Sequence, residues 1–328
     1  WAITPEYGHW GEYDHFHQYG KEGGKERFIQ AVRDCQAQGT RVGMYLDGYL
    51  VSTKAQKPTL EQRERWGIRG ADGQMIYHKS WDAHSMCPYG AEWREYLTGI
   101  YRRLAGEVQP NGMYVDEFGR NPDHRTCYST EHGHRTPMGM SPGEGILARE
   151  IRETVPPEIA TYCEFVPSDI DSQYYDGAFS YLAMFSYRAG LGRVAPHYVN
   201  LHRFAMPSFK QFELTYSAPL ENGNWFLLKV PFFNGTGFYL KGSCLQSDEH
   251  SRAFYRNAFR VQHAHADAFV SEDVEPLVQT EARDLYANRF RTDKECVWTL
   301  YNAAYRTQRG VLMVVDHRDG TEYIDAWN

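Results

Sequence analysis

At 328 residues the chain is long enough for one barrel of about 250 residues plus a smaller unit, or for two medium domains. A formal net charge of -7 without a Lys/Arg cluster argues against nucleic acid or an anionic membrane as partner, and no run of 18 apolar residues is present to span a bilayer. Aromatic residues make up 15%, a share that suits stacking on flat apolar faces such as sugar rings but equally suits an aromatic core.

In chain order, Trp1 to Thr4 is what remains of a first strand, and both chain ends look cut. The loop that follows gathers Tyr7, His9, Trp10, Tyr13, His15, Phe16 and His17, either a stacking platform for sugar or a packed aromatic loop. Gly24 to Gln38 carries Phe28, Ile29, Val32 and Cys35 at helical spacing, with Gly39 as a stop. A strand ending at Asp47 comes next, then a further strand, a long loop with a turn at Asp72-Gly73, and Ser85-Met86-Cys87-Pro88. A helix from Ala91 to Ala105, with Trp93, Tyr96, Leu97, Ile100, Tyr101 and Leu104 inward, delivers the strand that ends at Asp116. A polar loop and a helix from Glu144 to Thr154, stopped by Pro156-Pro157, precede the strand that ends at Glu164.

Gly177 to Leu182, Gln211 to Tyr216 and Trp225 to Val230 are further predicted strands, and Asp248 to Val270 is a long predicted helix. From Ser271 the pattern changes to three short runs, Tyr286 to Phe290, Cys296 to Asn302 and Gly310 to Val315, which reads as antiparallel sheet. The predicted architecture is therefore α/β: a (β/α)8 TIM-like barrel over 1–270, its first strand truncated, followed by a small, incomplete antiparallel β domain over 271–328.

Three of the strands end alike, in Tyr45-Leu46-Asp47, Tyr114-Val115-Asp116 and Tyr162-Cys163-Glu164. Side chains alternate along a strand, so Val42, Met44, Leu46, Met113 and Val115 share one face, and each Tyr shares the other with its carboxylate. If the strands are parallel neighbours, the three carboxylates meet at one rim, and two carboxylates on neighbouring strands are what glycoside hydrolysis needs. The structural alternative is that they cap helices or pair with nearby loops. Asp116 and Glu117 are adjacent, and alternation sends Asp116 to the lumen and Glu117 to the side of Met113 and Val115.

Gly112-Met113-Tyr114-Val115-Asp116-Glu117, followed by a helix and Tyr162-Cys163-Glu164-Phe165, resembles the catalytic barrels of endo-α-N-acetylgalactosaminidases and, more distantly, of the α-amylase superfamily. The opening Tyr7-Gly8-His9-Trp10-Gly11 is similar to that of uncharacterised bacterial glycosidase-like barrels. The resemblance implies a retaining hydrolase of α-linked glycans, with Asp116 as nucleophile and Glu164 as acid/base. Tyr114 departs from the Arg that amylase relatives carry two residues before the nucleophile, which argues against starch-type specificity.

Around that pair, Asp47, Tyr45, Tyr114, Tyr162, Tyr7, His9, Trp10, Trp81, His84 and Trp225 are candidate substrate-binding residues, with Trp66, Tyr187 and Arg188 as further loop candidates. Asp169, Asp171 and Asp176 are assigned to capping. The partner expected is an oligo- or polysaccharide, without a cofactor.

The loop with Asp123, His124, Cys127, His132 and His134 is rich in ligand types, but His-x2-Cys-x4-His-x-His matches no common zinc spacing, and no metal is expected. The six cysteines do not form a disulfide framework. They leave the compartment open, with a secreted or periplasmic location favoured. A glycan-binding barrel without catalysis and a metal-dependent hydrolase using the His-rich loop are the competing readings.

Overall fold

The computed structural model describes residues 2–3, 23–55, 59–119, 126–181, 199–215, 226–240, 248–304, 306–317 and 319–327. The chain divides into two compact units, Trp1–Ala178 and Phe179–Asn328.

The first unit alternates strands and helices: β1 (Ala2–Ile3), α1 (Lys25–Ala37), β2 (Gly43–Asp47), β3 (Leu50–Ser52), α2 (Thr59–Trp66), β4 (Tyr77–His78), β5 (Ala83–Ser85), α3 (Ala91–Glu107), β6 (Gly112–Asp116), α4 (Ser141–Thr154) and β7 (Ala160–Cys163). β8 (Gly177–Ser180) begins in this unit and pairs in parallel with β7 through Tyr162 opposite Gly177. β1, β2, β6 and β7 are successive parallel neighbours. Helical crossovers make parallel pairing possible, and the amphipathic pattern of α3 and α4 shows what they cover. Trp93, Leu97, Ile100, Tyr101 and Leu104 on α3, and Leu147, Ala148 and Ile151 on α4, are buried. Arg94 locks the two helices together, its Nε lying 2.9 Å and 3.0 Å from the carboxylate oxygens of Glu150.

The face analysis of the strands holds. Val42, Met44, Leu46, Met113 and Val115 are all 1% exposed or less. Opposite them Tyr45, Tyr114 and Tyr162 form a ring ladder across three strands, with centroids 5.3 and 5.5 Å apart. Glycine makes room for the last ring, because a Cβ at Gly43 would stand 2.3 Å from the Tyr162 hydroxyl. After β2 a further strand stands as expected, β3, and the predicted loop holds α2 and the strands β4 and β5 that complete a small antiparallel sheet with it, with the expected turn at Gly73, where φ is +76°.

The second unit contains α5 (Leu201–Ala205), β9 (Lys210–Thr215), α6 (Phe226–Asn234), β10 (Gly237–Leu240), α7 (Glu249–Ala264), α8 (Ala266–Val270) and the antiparallel strands β11 (Asp273–Val278), β12 (Leu285–Arg291) and β13 (Cys296–Asn302). β9 and β10 are parallel. Three expectations are corrected here. Trp225 to Val230 is not a strand: α6 starts at Phe226 and runs through Pro231. A short run apolar on all sides has neither period 2 nor period 3.6, and burial decides its form. The long helix breaks at His265 into α7 and α8. Gly310 to Val315 adds no strand, with Val311 and Val314 exposed, while Asp273–Val278 supplies the third strand.

Candidate active site

The three Tyr-x-carboxylate ends lie side by side. Tyr45 pairs in register with Tyr114 and Asp47 with Asp116 across β2 and β6. Tyr114 pairs with Tyr162 across β6 and β7, and Glu164 follows at once, its N–H donating to the Val115 carbonyl at 3.2 Å. One parallel register therefore turns a repeated tripeptide into a row of carboxylates.

Asp116 accepts hydrogen bonds from two of the ladder tyrosines, the Tyr45 hydroxyl on Oδ2 and the Tyr114 hydroxyl at 2.7 Å on Oδ1. Burial pushes its pKa up to about 6 against the pull of the two tyrosine hydroxyls, and the nearby Glu117 charge adds to the rise. The neighbouring Glu164 side chain also lowers the pKa of this carboxyl. Glu164 Oε2 accepts the backbone N–H of Glu117 at 2.9 Å. Asp47 is 1% exposed, and its Oδ1 takes the N–H groups of Tyr49 at 2.7 Å and Leu50 at 2.6 Å. That geometry is an Asx-type turn, the structural role weighed for Asp47 from sequence. Burial first, then the charges of Glu117 and Asp116, raise its pKa well above the usual carboxylate range.

Glu117 does not point to the helix side. It stands just beyond β6 with φ +65°, where strand alternation no longer applies. A carboxylate oxygen of Glu117 lies within 4.8 Å of carboxylate oxygens of both Asp47 and Asp116. The turn that places it is built by neighbours. Gly119, at φ +100°, has no space for a Cβ, which would meet the Phe165 carbonyl oxygen at 2.0 Å. Phe165 N–H donates to the Phe118 carbonyl at 2.9 Å. From below, Glu144 accepts Gly119 N–H at 3.2 Å and the Tyr49 hydroxyl at 2.6 Å. Sequence reasoning missed Glu144 and Tyr49, since nothing in their local patterns marks a helix-start Glu as the support of a turn 25 residues earlier.

Trp81 and His84 fall in the small sheet, on β5 and the turn before it. Trp81 is 51% exposed and His84 lies 5.3 Å from the Tyr77 ring. Trp66 is no platform: it is buried, packed on Trp93 and Tyr96, with its Nε1 donating to Glu92. Asp176 accepts the Thr161 N–H and pairs with Arg152, and Asp171 accepts from the Ser168 hydroxyl, but neither caps a helix as expected: the short helix Asp171–Tyr174 has Ile170 at its N-cap and no side-chain cap bond. Tyr7, His9, Trp10, Asp123, His124, Tyr187, Arg188 and Trp225 lie outside the described residues.

Residues 6–159 match the model of a family described as a domain of unknown function, DUF6259. A Bacteroides thetaiotaomicron protein provisionally described as a glycoside hydrolase is 30% identical over 115 residues, a match covering 34% of this chain and 17% of that protein. Among solved structures, a quadruple mutant of the α-N-acetylgalactosaminidase of Bifidobacterium bifidum aligns with TM-score 0.61 and 18% identity over 88% of this chain and 46% of the other. A maltogenic α-amylase of Thermotoga neapolitana aligns with TM-score 0.58 and 12% identity, covering 85% and 68%. An α-galactosidase of Lactobacillus brevis aligns with TM-score 0.55 and 12% identity, covering 88% and 38%. At these identities the likeness is one of fold, and the fold is one that α-glycosidases use.

Proposed function

We propose that the chain is a glycoside hydrolase of the (β/α)8 barrel type that cleaves an α-linked glycan with retention of configuration. The observation that carries this reading is the in-register row of strand-end carboxylates, in which Asp116 sits between two tyrosine hydroxyls and beside Glu164. Asp116 attacks the anomeric carbon while Glu164 gives its proton to the leaving oxygen. Glu164 then takes a proton from water, which displaces Asp116. Inverting enzymes hold their carboxyls about 6.5–9.5 Å apart to admit water, and retaining ones about 5–5.5 Å, so the separation of the two carboxyls during reaction decides between the mechanisms, and retention is proposed here from the sequence resemblance. The α preference and the glycan class rest on the structural neighbours and the sequence resemblance.

The test uses a panel of aryl α-glycosides, including α-galactosides and α-N-acetylgalactosaminides, with NMR of the first-formed anomer. Retention is expected, with most turnover lost in Asp116→Ala and Glu164→Ala and partial rescue of one by azide. An inverted product overturns the mechanism, and unchanged rates in both variants overturn the residues.

A further inference from the structure

A second cluster of reactive side chains lies apart from the carboxylates. Cys87, in the segment between β5 and α3, meets Cys127, His132 and His134 of the long loop after β6, and one donor atom from each lies within 4.8 Å of the other three. Sequence spacing could not show this, because the missing ligand stands forty positions upstream of Cys127.

Four features make this a formed site. First, three of the four donors are buried, Cys87 and Cys127 at 0% exposed and His132 at 7%, and His134 is half-buried. Second, both histidines have a fixed tautomer. His132 Nε2 lies 2.8 Å from the Arg65 carbonyl, so it carries the proton and leaves the Nδ1 lone pair facing Cys127 Sγ at 3.4 Å. His134 Nδ1 lies 2.7 Å from the Arg135 carbonyl, so its lone pair is on Nε2. A backbone carbonyl holding the outer nitrogen is the support that metal-bound histidines receive. Third, His134 Nε2 is buried with no hydrogen-bond partner, an orphaned acceptor that a cation would satisfy. Fourth, both cysteine backbones are pinned. Cys87 N–H donates to the Trp66 carbonyl at 2.8 Å, and Cys127 exchanges hydrogen bonds of 2.8 and 3.0 Å with Met138.

We propose that Cys87, Cys127, His132 and His134 bind one zinc ion. Two sulfurs and two imidazole nitrogens in a closed set are a structural zinc donor set, and with four protein ligands no position is open for a catalytic water. At Zn–S of about 2.3 Å and Zn–N of about 2.0–2.1 Å, neighbouring tetrahedral ligands stand roughly 3.3–3.8 Å apart. The Cys127–His132 pair already has that spacing, and the other ligands need only close in slightly. On binding, the two thiols release their protons to solvent and the zinc charge is neutralised. The ion ties the segment that leads into α3 to the loop that follows Asp116.

The full chain, expressed in zinc-supplemented medium without a polyhistidine tag, should carry about one zinc per chain by mass spectrometry of the metal. A mercurial that caps thiols should release it. Cys87→Ser and His134→Ala should each lose it, while Cys35→Ser keeps it. After chelation under reducing conditions, cobalt(II) alone should give the intense visible bands of a tetrahedral thiolate site. A metal-free chain that takes up neither zinc nor cobalt once reduced overturns the proposal. So does a Cys87–Cys127 disulfide found by peptide mass spectrometry in the freshly purified protein. Neither measurement uses glycosidase activity, so the result stands apart from the fate of the proposed reaction.

Discussion

The Asp116 carboxyl is asked to be an anion in a place that disfavours anions. Burial and Glu117 lift its pKa to about 6, and the hydroxyls of Tyr45 and Tyr114 hold it from going higher. The folded value lies above the ordinary one of about 3.9. The folded state therefore binds this proton more tightly, and stability from this group falls as pH rises from about 4 to about 6. Activity should move the opposite way over the same window, because Asp116 as the proposed nucleophile must be ionised: kcat/KM is expected to have an acid limb near pH 6. Tyr45→Phe removes one hydroxyl from the carboxylate. A hydrogen bond to a charged group contributes about 1.5–3 kcal/mol, so the limb should move up by about one pH unit or more. A pH–rate profile checks this, and a limb that stays in place in the Phe variant would show that another group sets it. At Glu164, exchange to Gln removes the proposed acid, and a loss of about 10²–10⁴-fold is expected in steady-state turnover.

At the scale of elements, the strand ends were legible because one motif repeats at positions that pair in register, and because the apolar face is strict enough to fix which way each Tyr points. What stayed hidden has a physical reason in each case. Glu117 leaves the strand through a left-handed turn that no strand pattern announces. α6 is apolar on nearly every side, with Leu228, Val230, Pro231 and Phe233 buried, and so shows no period. Glu144 and Cys87 act on segments distant in sequence, and contacts of that kind leave no local trace. The turn after β6 offers two tests. Gly119→Ala should destabilise by at least about 1–3 kcal/mol from backbone strain alone, with the Phe165 clash added, read as a lower denaturant midpoint. Tyr49→Phe leaves the buried Glu144 carboxylate short of a donor and should cost about 1–3 kcal/mol. An unchanged midpoint in the Tyr49 variant would mean that Glu144 does not need that hydroxyl.

For the whole molecule, the question is whether the cysteine–histidine cluster serves stability or chemistry, since a metal-dependent hydrolase was one reading of the same loop. The carboxylates stand at the ends of β2, β6 and β7, whereas the cluster joins the segment before α3 to the loop after β6, and a four-ligand site has no vacancy for substrate. Zinc that binds only the folded state stabilises it by mass action, by about 2.7 kcal/mol when free zinc is 100 times its dissociation constant. Chelation should therefore lower the melting temperature at once, and added zinc should restore it. Turnover of the chelated protein, measured well below its new melting point on an aryl α-glycoside, should keep its pH profile and most of its kcat. If instead kcat collapses while the chain stays folded by circular dichroism, and returns with zinc, the ion takes part in the reaction. The carboxylate pair would then lose its claim to be sufficient for the chemistry.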